Sequence, residues 1–141
     1  MVLPCRRDHN FYKINVFGFQ AIFSRKHKRG RVRLGFSPQG QKEKEGDGKT
    51  PEGKYYITHK NPNSKFYLSL GINFPNQSDK KRALKKGLNP GSDIFIHGLG
   101  KKNVLLHYFF DWTEGCIAVT NKEIKEIYGL VEPGTVIFIY A

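Results

Sequence analysis

Short runs of aromatic and β-branched residues alternate with polar turns along most of the chain, a pattern typical of β-strands. These runs predict strands in "FYKINVF", "FQAIFSR", "RVRLGFS", "KYYITHK", "KFYLSLGI", "SDIFIHG" and "GTVIFIYA". The first three are separated by Gly18 and by a Lys/Arg/Gly turn at residues 26–30. The pattern therefore predicts a mostly β fold, a sandwich or a barrel.

Two segments predict short helices. "SDKKRALKKG" should begin at Ser78 and end at Gly87, residue types that favour a helix start and a helix stop. Thr120 and Glu123 form a capping box. The apolar residues after this box repeat at helical spacing: Ile124, Ile127, Tyr128 and Val131. The second segment is thus expected to be a helix with one buried face.

The segment "SPQGQKEKEGDGKTPEG" is polar and rich in Gly and Pro, which predicts a long exposed loop. Its "GDGKTPEG" lacks the spacing of a phosphate-binding loop and precedes a strand rather than a helix. We interpret it as an ordered turn system flanking a cleft. Since no repeat or linker is visible, we expect one domain over residues 12–141, preceded by an extension over residues 1–11.

The composition changes this picture in one respect, the charge. The 141 residues are 38% apolar and 26% charged, as in a globular protein, but the formal net charge is +12. Such a charge keeps a surface solvated, and it also attracts polyanions such as nucleic acid, anionic lipid or an acidic wall polymer. No aromatic RNA-binding signature, zinc-finger spacing or basic zipper is present, so we expect no specific nucleic-acid partner.

No apolar run reaches the roughly 18–20 residues of a membrane span, and "MVLPCRRDHN" lacks the apolar middle of a secretory signal. We therefore expect no membrane span. The two cysteines, Cys5 and Cys116, are far apart and have no metal-ligand partners at zinc spacing, so neither a disulfide framework nor a metal site is expected. Cys5 is interpreted as an incidental thiol.

Cys116 follows Gly115 directly in "DWTEGCIAVT". A lone cysteine is most often a small core residue, but a glycine before it allows a tight turn close to a substrate. The amides of Gly115 and Cys116 could then both point at a developing oxyanion. A thiol with a pKa near 8.5 also needs a base close by if it is to act as a nucleophile.

His97 is the candidate base, because it ends an apolar strand and is followed by Gly98. The alternative, a structural hydrogen-bonded histidine, stays open. The apolar neighbours of His107 favour a structural role. The remaining histidines stand in polar or terminal segments and are interpreted as surface residues: His9, His27 and His59.

"IHG" followed by "TEGC", together with "EGDGKTPEGKYYI", resembles the L,D-transpeptidase catalytic domain, the YkuD family, whose signature is His-Gly, a spacer and Ser/Thr-His-Gly-Cys. "FYLSLGINFPNQSDKKRALKKG" and "DWTEGCIAVTNKEI" are similar to its YafK-like branch. The resemblance covers about residues 12–140 and implies a β-sandwich-like fold.

The resemblance also implies a cysteine enzyme that acts on peptidoglycan stem peptides and needs no metal or organic cofactor. Cys116 would be the nucleophile and His97 its base. The carbonyl of Gly98 would hold the imidazole tautomer, and Thr113 would shape the oxyanion site with the amides of Gly115 and Cys116.

Two positions depart from the family pattern. Glu114 stands where a second histidine is common, and Ala118 stands where an arginine is usual. The missing arginine removes a partner for a substrate carboxylate, and Glu114 would raise a thiol pKa if it pointed inward. These departures concern substrate and acceptor preference. Asp111, Trp112 and Glu114 are the candidate substrate contacts, with core packing an open alternative for Trp112.

The expected function is therefore a peptidoglycan L,D-transpeptidase that forms cross-links or exchanges terminal D-amino acids, with stem peptides, free D-amino acids or a wall-anchored protein as partners. The alternatives are an L,D-carboxypeptidase or endopeptidase, and a non-catalytic module that binds the wall or another polyanion. A wall enzyme implies a periplasmic or secreted location, although no signal peptide is visible in this sequence.

Overall fold

The computed structural model describes residues 13–16, 32–102 and 104–140. Within these residues, one sheet contains six strands in the spatial order β1-β6-β2-β3-β4-β5. The strands are β1 (Lys13–Val16), β2 (Gly53–Ser64), β3 (Tyr67–Ile72), β4 (Phe95–His97), β5 (Ile117–Ala118) and β6 (Val136–Tyr140). Neighbours are antiparallel except for β4 and β5, which run parallel. The predicted mostly β fold is confirmed.

The long strand β2 joins the two halves of the sheet. Its first residues, from Gly53 to Tyr56, pair with β6, whereas the part from Ile57 onward pairs with β3. Tyr55 and Ile57 are buried while the residues between and beside them are exposed, the alternation expected of a strand with one face on the core. The aromatic and β-branched pattern of "KYYITHK" thus encodes both pairing and burial.

The same described residues contain three helices: α1 (Gln77–Lys85), α2 (Val104–Phe109) and α3 (Asn121–Leu130). The predicted capping box of α3 is present, since Thr120 and Glu123 satisfy each other's backbone amides. Ile124 and Ile127 are buried, and α3 packs against β3 and β4. Because α3 covers the strand that ends at His97, it also supports the candidate site.

Helix α1 begins earlier than predicted. Its N-cap is Asn76, which forms a capping box with Asp79, so Ser78 lies inside the first turn. Both residue types are good caps, but Asp79 lies three residues after Asn76, and this spacing completes the box only from Asn76. The predicted stop is correct, because Gly87 follows the C-cap with a φ of 64°.

The segment "RVRLGFS" is not a regular strand. Its described part forms two isolated bridges, Arg33 with Ala118 and Gly35 with Thr113. A Cβ on Gly35 would lie 2.0 Å from the carbonyl oxygen of Gly48. The backbone of the loop that contains Gly48 therefore packs directly against the backbone of this segment. The segment therefore lies between the loop and the turn that carries Cys116.

Two histidines besides His97 lie within the described residues, His59 and His107. His107 is fully buried in α2, a helix that the strand-like run "VLLHYFF" did not predict, and its carbonyl accepts a hydrogen bond from Arg33. His59 is exposed, as expected.

Several predictions lie outside the described residues: the strand "FQAIFSR", the turn at 26–30, the extension, Cys5, His9 and His27. Among the helices described, none has the length and apolar character needed to cross a membrane.

Candidate active site

The candidate base, His97, is the last residue of β4 and is only 3% exposed. It pairs with Ser69 of β3 on one side and with Ala118 of β5 on the other. Its carbonyl also accepts a hydrogen bond from the amide of Val119. The backbone of His97 is therefore fixed from both sides, and its imidazole starts from a rigid position in the sheet.

The imidazole has one defined hydrogen-bond partner. Its Nδ1 lies 2.6 Å from the carbonyl oxygen of Gly98, the contact expected from the sequence. A carbonyl only accepts, so Nδ1 carries the proton, and in the neutral ring Nε2 is left as the acceptor. Burial lowers the pKa of His97, and the nearby charge of Lys102 lowers it further. The hydrogen bond to Gly98 acts in the opposite direction and raises it. The ring is thus a neutral base near pH 7.

Two aromatic rings hold the imidazole in place. Phe66 stacks on it with ring centroids 4.3 Å apart and planes at 24°. Trp112 meets it edge to face at 5.8 Å. Trp112, predicted as a substrate contact, thus reaches the site through His97. The contact of Phe66 with the imidazole was not predicted.

Asn121 fixes the loop that follows His97. Its side-chain oxygen accepts hydrogen bonds from the amides of Leu99 and Gly100, at 2.8 and 3.1 Å, and its amide group donates to the carbonyl of Gly100 at 3.2 Å. A Cβ on Gly98 would lie 2.7 Å from this same side-chain oxygen, so the glycine permits the close approach. Asn121 was not predicted as part of the site, and its one local signal in the sequence is its place directly after a capping residue.

The turn that carries Cys116 is organised by the hydroxyl of Thr113. This hydroxyl donates to the carbonyl of Cys116 at 2.6 Å and accepts from the amide of Gly115 at 3.2 Å. Gly115 has a φ of 140°, and a Cβ there would lie 2.8 Å from the carbonyl oxygen of Lys49. Of the two amides expected at an oxyanion site, that of Gly115 is therefore engaged by Thr113. The amide of Cys116 has no acceptor among the described residues.

The thiol of Cys116 is half-buried, and its sulfur lies 3.6 Å from the carbonyl oxygen of Asp93. Burial raises the pKa of Cys116, a hydrogen bond from the backbone of Phe95 opposes this, and the charge of Asp93 raises it further. Near neutral pH the thiol is therefore protonated. With His97 neutral as well, the resting pair carries no charge.

His97 and Cys116 line the same cavity of about 210 Å³. Its other lining residues come from β2, the β2–β3 turn, β3 and β4: Asn61, Ser64, Lys65, Phe66, Ser69 and Phe95. A cavity of this size admits a few side chains of an extended peptide rather than a large cofactor. The structure thus brings the two predicted catalytic side chains to one opening.

The other predicted substrate contacts lie elsewhere. The carboxylate of Asp111 accepts a hydrogen bond from the amide of Leu34 at 3.2 Å and lies 4.0 Å from the guanidinium of Arg33. Both of these charged side chains are buried. Asp111 therefore holds the segment at residues 32–36, whereas Glu114 is exposed, and neither lines the cavity. Among the described residues no cluster of His, Cys, Asp and Glu is grouped as metal ligands would be.

The predicted turn system at residues 37–53 flanks the cysteine turn and is locked by a buried ion pair. Nζ of Lys42 lies 2.9 Å from the carboxylate of Asp47, and both side chains are almost fully buried. The same carboxylate accepts from the amides of Glu43, Lys44 and Lys49. Burial alone would raise the pKa of Asp47, but the hydrogen bonds from Lys42 and these amides lower it to about 2.

Comparison with known families matches residues 21–139 to YkuD, the L,D-transpeptidase catalytic domain. The chain is also 32% identical over 102 residues to the "Putative L,D-transpeptidase YafK" of Escherichia coli (strain K12), an alignment that covers 70% of this chain and 34% of that protein. An equal match exists in Escherichia coli O157:H7. The chain thus spans about a third of the length of the curated relatives it matches.

Two solved structures have a similar fold. The helical cell shape determining protein Pgp2 from Campylobacter jejuni superposes with a TM-score of 0.60 and 25% identity, covering 91% of this chain and 46% of that one. Bd1075 from Bdellovibrio bacteriovorus superposes with a TM-score of 0.54 and 26% identity, covering 78% and 37%.

The ion pair in the loop predicts a pH-dependent stability. Because the pKa of Asp47 falls to about 2 on folding, its contribution is complete above its ordinary pKa of 3.8 and is lost as the pH falls through 2. We expect Asp47→Asn to lower the free energy of unfolding by about 1–3 kcal/mol at pH 7. Urea denaturation at several pH values should show this difference shrinking below about pH 4. Glu45→Gln, a change at an exposed residue of the same loop, should have little effect, and a pH-independent difference would contradict the assignment.

The hydrogen bonds by which Asn121 clamps the loop after His97 predict that replacing Asn121 lowers the stability of the protein. Replacing its neighbour Lys122 should not. Asn121→Ala leaves the amides of Leu99 and Gly100 without their acceptor, which should cost about 1–3 kcal/mol. Thermal and chemical denaturation would measure it, with the exposed Lys122→Ala as the matched control. Equal stability of the two variants would exclude the clamp.

The uncharged resting pair predicts how the thiol responds to pH. In a Cys5→Ser background, alkylation of Cys116 by iodoacetamide should follow a midpoint above the ordinary thiol value of about 8.5, because burial raises its pKa. Stopped mass-spectrometric assays between about pH 5 and 10 would define the midpoint, and Cys116→Ala gives the background. Rapid alkylation well below neutral pH is the signature of a thiolate–imidazolium pair and would contradict the assignment.

Proposed function

The chain belongs to the YkuD family of L,D-transpeptidase catalytic domains, and we propose from this premise that it is a peptidoglycan L,D-transpeptidase acting on stem tetrapeptides. The observation that carries the proposal is one cavity lined by both Cys116 and His97. Cys116 is the nucleophile, and His97 is the general base and acid. The substrate is a stem peptide whose terminal D-amino acid leaves in the first half-reaction.

Acylation begins from the neutral pair. The sulfur of Cys116 attacks the carbonyl carbon of the scissile amide while its proton moves to Nε2 of His97, and an S–C bond forms. The carbonyl of Gly98 accepts from the protonated Nδ1 and so leaves Nε2 unprotonated and able to accept the proton of the thiol. The tetrahedral intermediate then expels the amine, which takes the proton back from Nε2. The products are a thioester on Cys116 and a free D-amino acid.

The oxyanion of the intermediate needs a donor that is not already in use. The amide of Cys116 meets this condition among the described residues, whereas the amide of Gly115 is held by Thr113. We therefore assign the oxyanion contact to the amide of Cys116 and a supporting role to Thr113, which fixes the turn through the carbonyl of Cys116. A preorganised amide of this kind stabilises the charge that develops on attack.

Deacylation reverses the same proton path with a new acceptor. An amine from a second stem peptide, a free D-amino acid or a wall-anchored protein attacks the thioester carbon and gives its proton to Nε2 of His97. The C–S bond breaks, and the leaving sulfur of Cys116 takes this proton, which restores the neutral pair. The amine of a second stem forms a cross-link, a free D-amino acid exchanges the terminus, and water gives an L,D-carboxypeptidase or, on an internal bond, an endopeptidase. Such chemistry takes place where peptidoglycan is, in the periplasm or outside the cell.

The first experiment is mass spectrometry of purified tetrapeptide muropeptides incubated with the protein. Cross-linked dimers, or exchanged termini when a D-amino acid is added, are expected with the unchanged protein. Both Cys116→Ala and His97→Ala should lower these products at least about 100-fold, because one removes the nucleophile and the other the base.

A Cys5→Ser variant serves as the control and should retain full activity. Shortened stems without dimers or exchange would indicate the carboxypeptidase alternative. Retention of all products in Cys116→Ala would refute the proposed nucleophile, and unchanged muropeptides with every protein would favour the alternative of a module that binds the wall.

A further inference from the structure

Two exposed lysines stand beside the imidazole of His97. Lys65 lines the cavity, and its Nζ lies 5.1 Å from the centroid of the Phe66 ring. Nζ of Lys102 lies 4.6 Å from the Trp112 ring and 6.0 Å from the Phe66 ring. These are the two rings that hold the imidazole, so both ammonium groups lie on the His97 side of the site.

Neither ammonium group has an acidic partner in the part of the chain that the structure describes. Lys42 and Lys60, by contrast, form ion pairs with Asp47 and Glu132. The aromatic faces support the two cations without neutralising them, and an ammonium group keeps donors free for an anion. The rim beside His97 is thus cationic, with no acidic side chain among the described residues to balance Lys65 and Lys102.

Backbone packing brings the two lysines together. A Cβ on Gly100 would lie 2.5 Å from the carbonyl oxygen of Lys65, so the β2–β3 turn sits directly on the loop after His97. Asn121 holds that loop from its other side. The amide of Lys102 continues the loop by donating to the carbonyl of Leu99 at 3.1 Å. The pair is therefore a fixed feature of two packed loops.

We propose that Lys65 and Lys102 bind the α-carboxylate of the D-amino acid that leaves the donor stem. This inference rests on the proposed function. The amine that leaves must lie at Nε2 of His97 to be protonated, and the carboxylate is attached to the carbon next to that amine. The carboxylate therefore falls on the His97 side of the site, where the two free cations are.

The subsite replaces the arginine that is usual at position 118. Ala118 is fully buried between Arg33 and β4, and Arg33 itself is engaged with His107 and Asp111. Of the charged groups near the sulfur, Asp93 and Glu114 are acidic and would repel a carboxylate there, while the cation Lys42 is already paired with Asp47. A donor with a free carboxyl terminus is thus favoured over an internal peptide bond.

Binding to the inactive Cys116→Ala protein tests the subsite without turnover. The probes are a stem tetrapeptide with a free terminal carboxylate and the same peptide ending in a carboxamide, titrated by calorimetry at fixed salt. The free acid should bind about tenfold more tightly than the amide, as expected for charge-assisted contacts. Adding Lys65→Gln and Lys102→Gln should abolish this preference and leave the affinity for the amide unchanged.

A matched control removes the same net charge at two other exposed lysines, Lys80→Gln and Lys101→Gln, and should keep the tenfold preference. Binding without a preference for the acid, or a preference that survives in the Lys65/Lys102 variant or disappears in the control, would overturn the subsite alone. No binding of either peptide would overturn both the subsite and the proposed function. A normal preference in a protein without turnover would sustain the subsite and refute the proposed catalysis.

Discussion

The close packing of the β2–β3 turn against the backbone after His97 is the constraint on which the site depends. Gly98 and Gly100 have no Cβ, and this lets residues 65–66 and Asn121 approach the loop from its two sides. The same approach places Phe66 on the imidazole and leaves the carbonyl of Gly98 within reach of Nδ1. A side chain at Gly98 would push on Asn121, on the carbonyl of Phe66 and on Ile124 together, so the tautomer of the base depends on a position that carries no functional group.

Burial has two opposite consequences for the proposed catalytic pair, His97 and Cys116. It fixes the ring of His97 and excludes water from it, but it also lowers the pKa of His97 and raises that of Cys116. In the proposed mechanism, the charged thiolate therefore forms in the course of attack, when its proton passes to a neutral, oriented imidazole. An uncharged resting thiol is also less open to oxidation, since oxidants react with the thiolate. The resting thiol is thus protected from oxidation, and its reactivity depends on the orientation of the imidazole.

The sequence could predict those parts of the fold that depend on neighbouring residues. Helix α3 was predicted because its capping box and apolar face are local, and the strands of the central sheet because their side chains alternate. Asn76 and Ser78 are equally good caps on composition, so the start of α1 depended on Asp79. Helix α2 was missed because its run of apolar and aromatic residues suits a strand equally well. The convergence of His97 and Cys116 came from the family resemblance, and the clamp by Asn121 depends on contacts across 21 and 22 positions that no local pattern encodes.

The charge distribution around the sulfur supports the proposal that a site without the usual arginine at position 118 selects an anionic donor. A guanidinium on β5 would be fixed by the sheet, whereas Ala118 is buried and uncharged. Lys65 and Lys102 instead stand on two loops, with long stems that can lie along aromatic rings while the ammonium groups stay in water. Asp93 and Glu114 lie on the cysteine side, where the charge of Lys42 is offset by Asp47, and Lys65 and Lys102 lie on the histidine side. The electrostatic field across the site therefore points from the histidine side to the cysteine side. In the proposed subsite, that direction would orient a peptide with its terminal carboxylate toward His97, so that the leaving amine would lie next to the group proposed to protonate it.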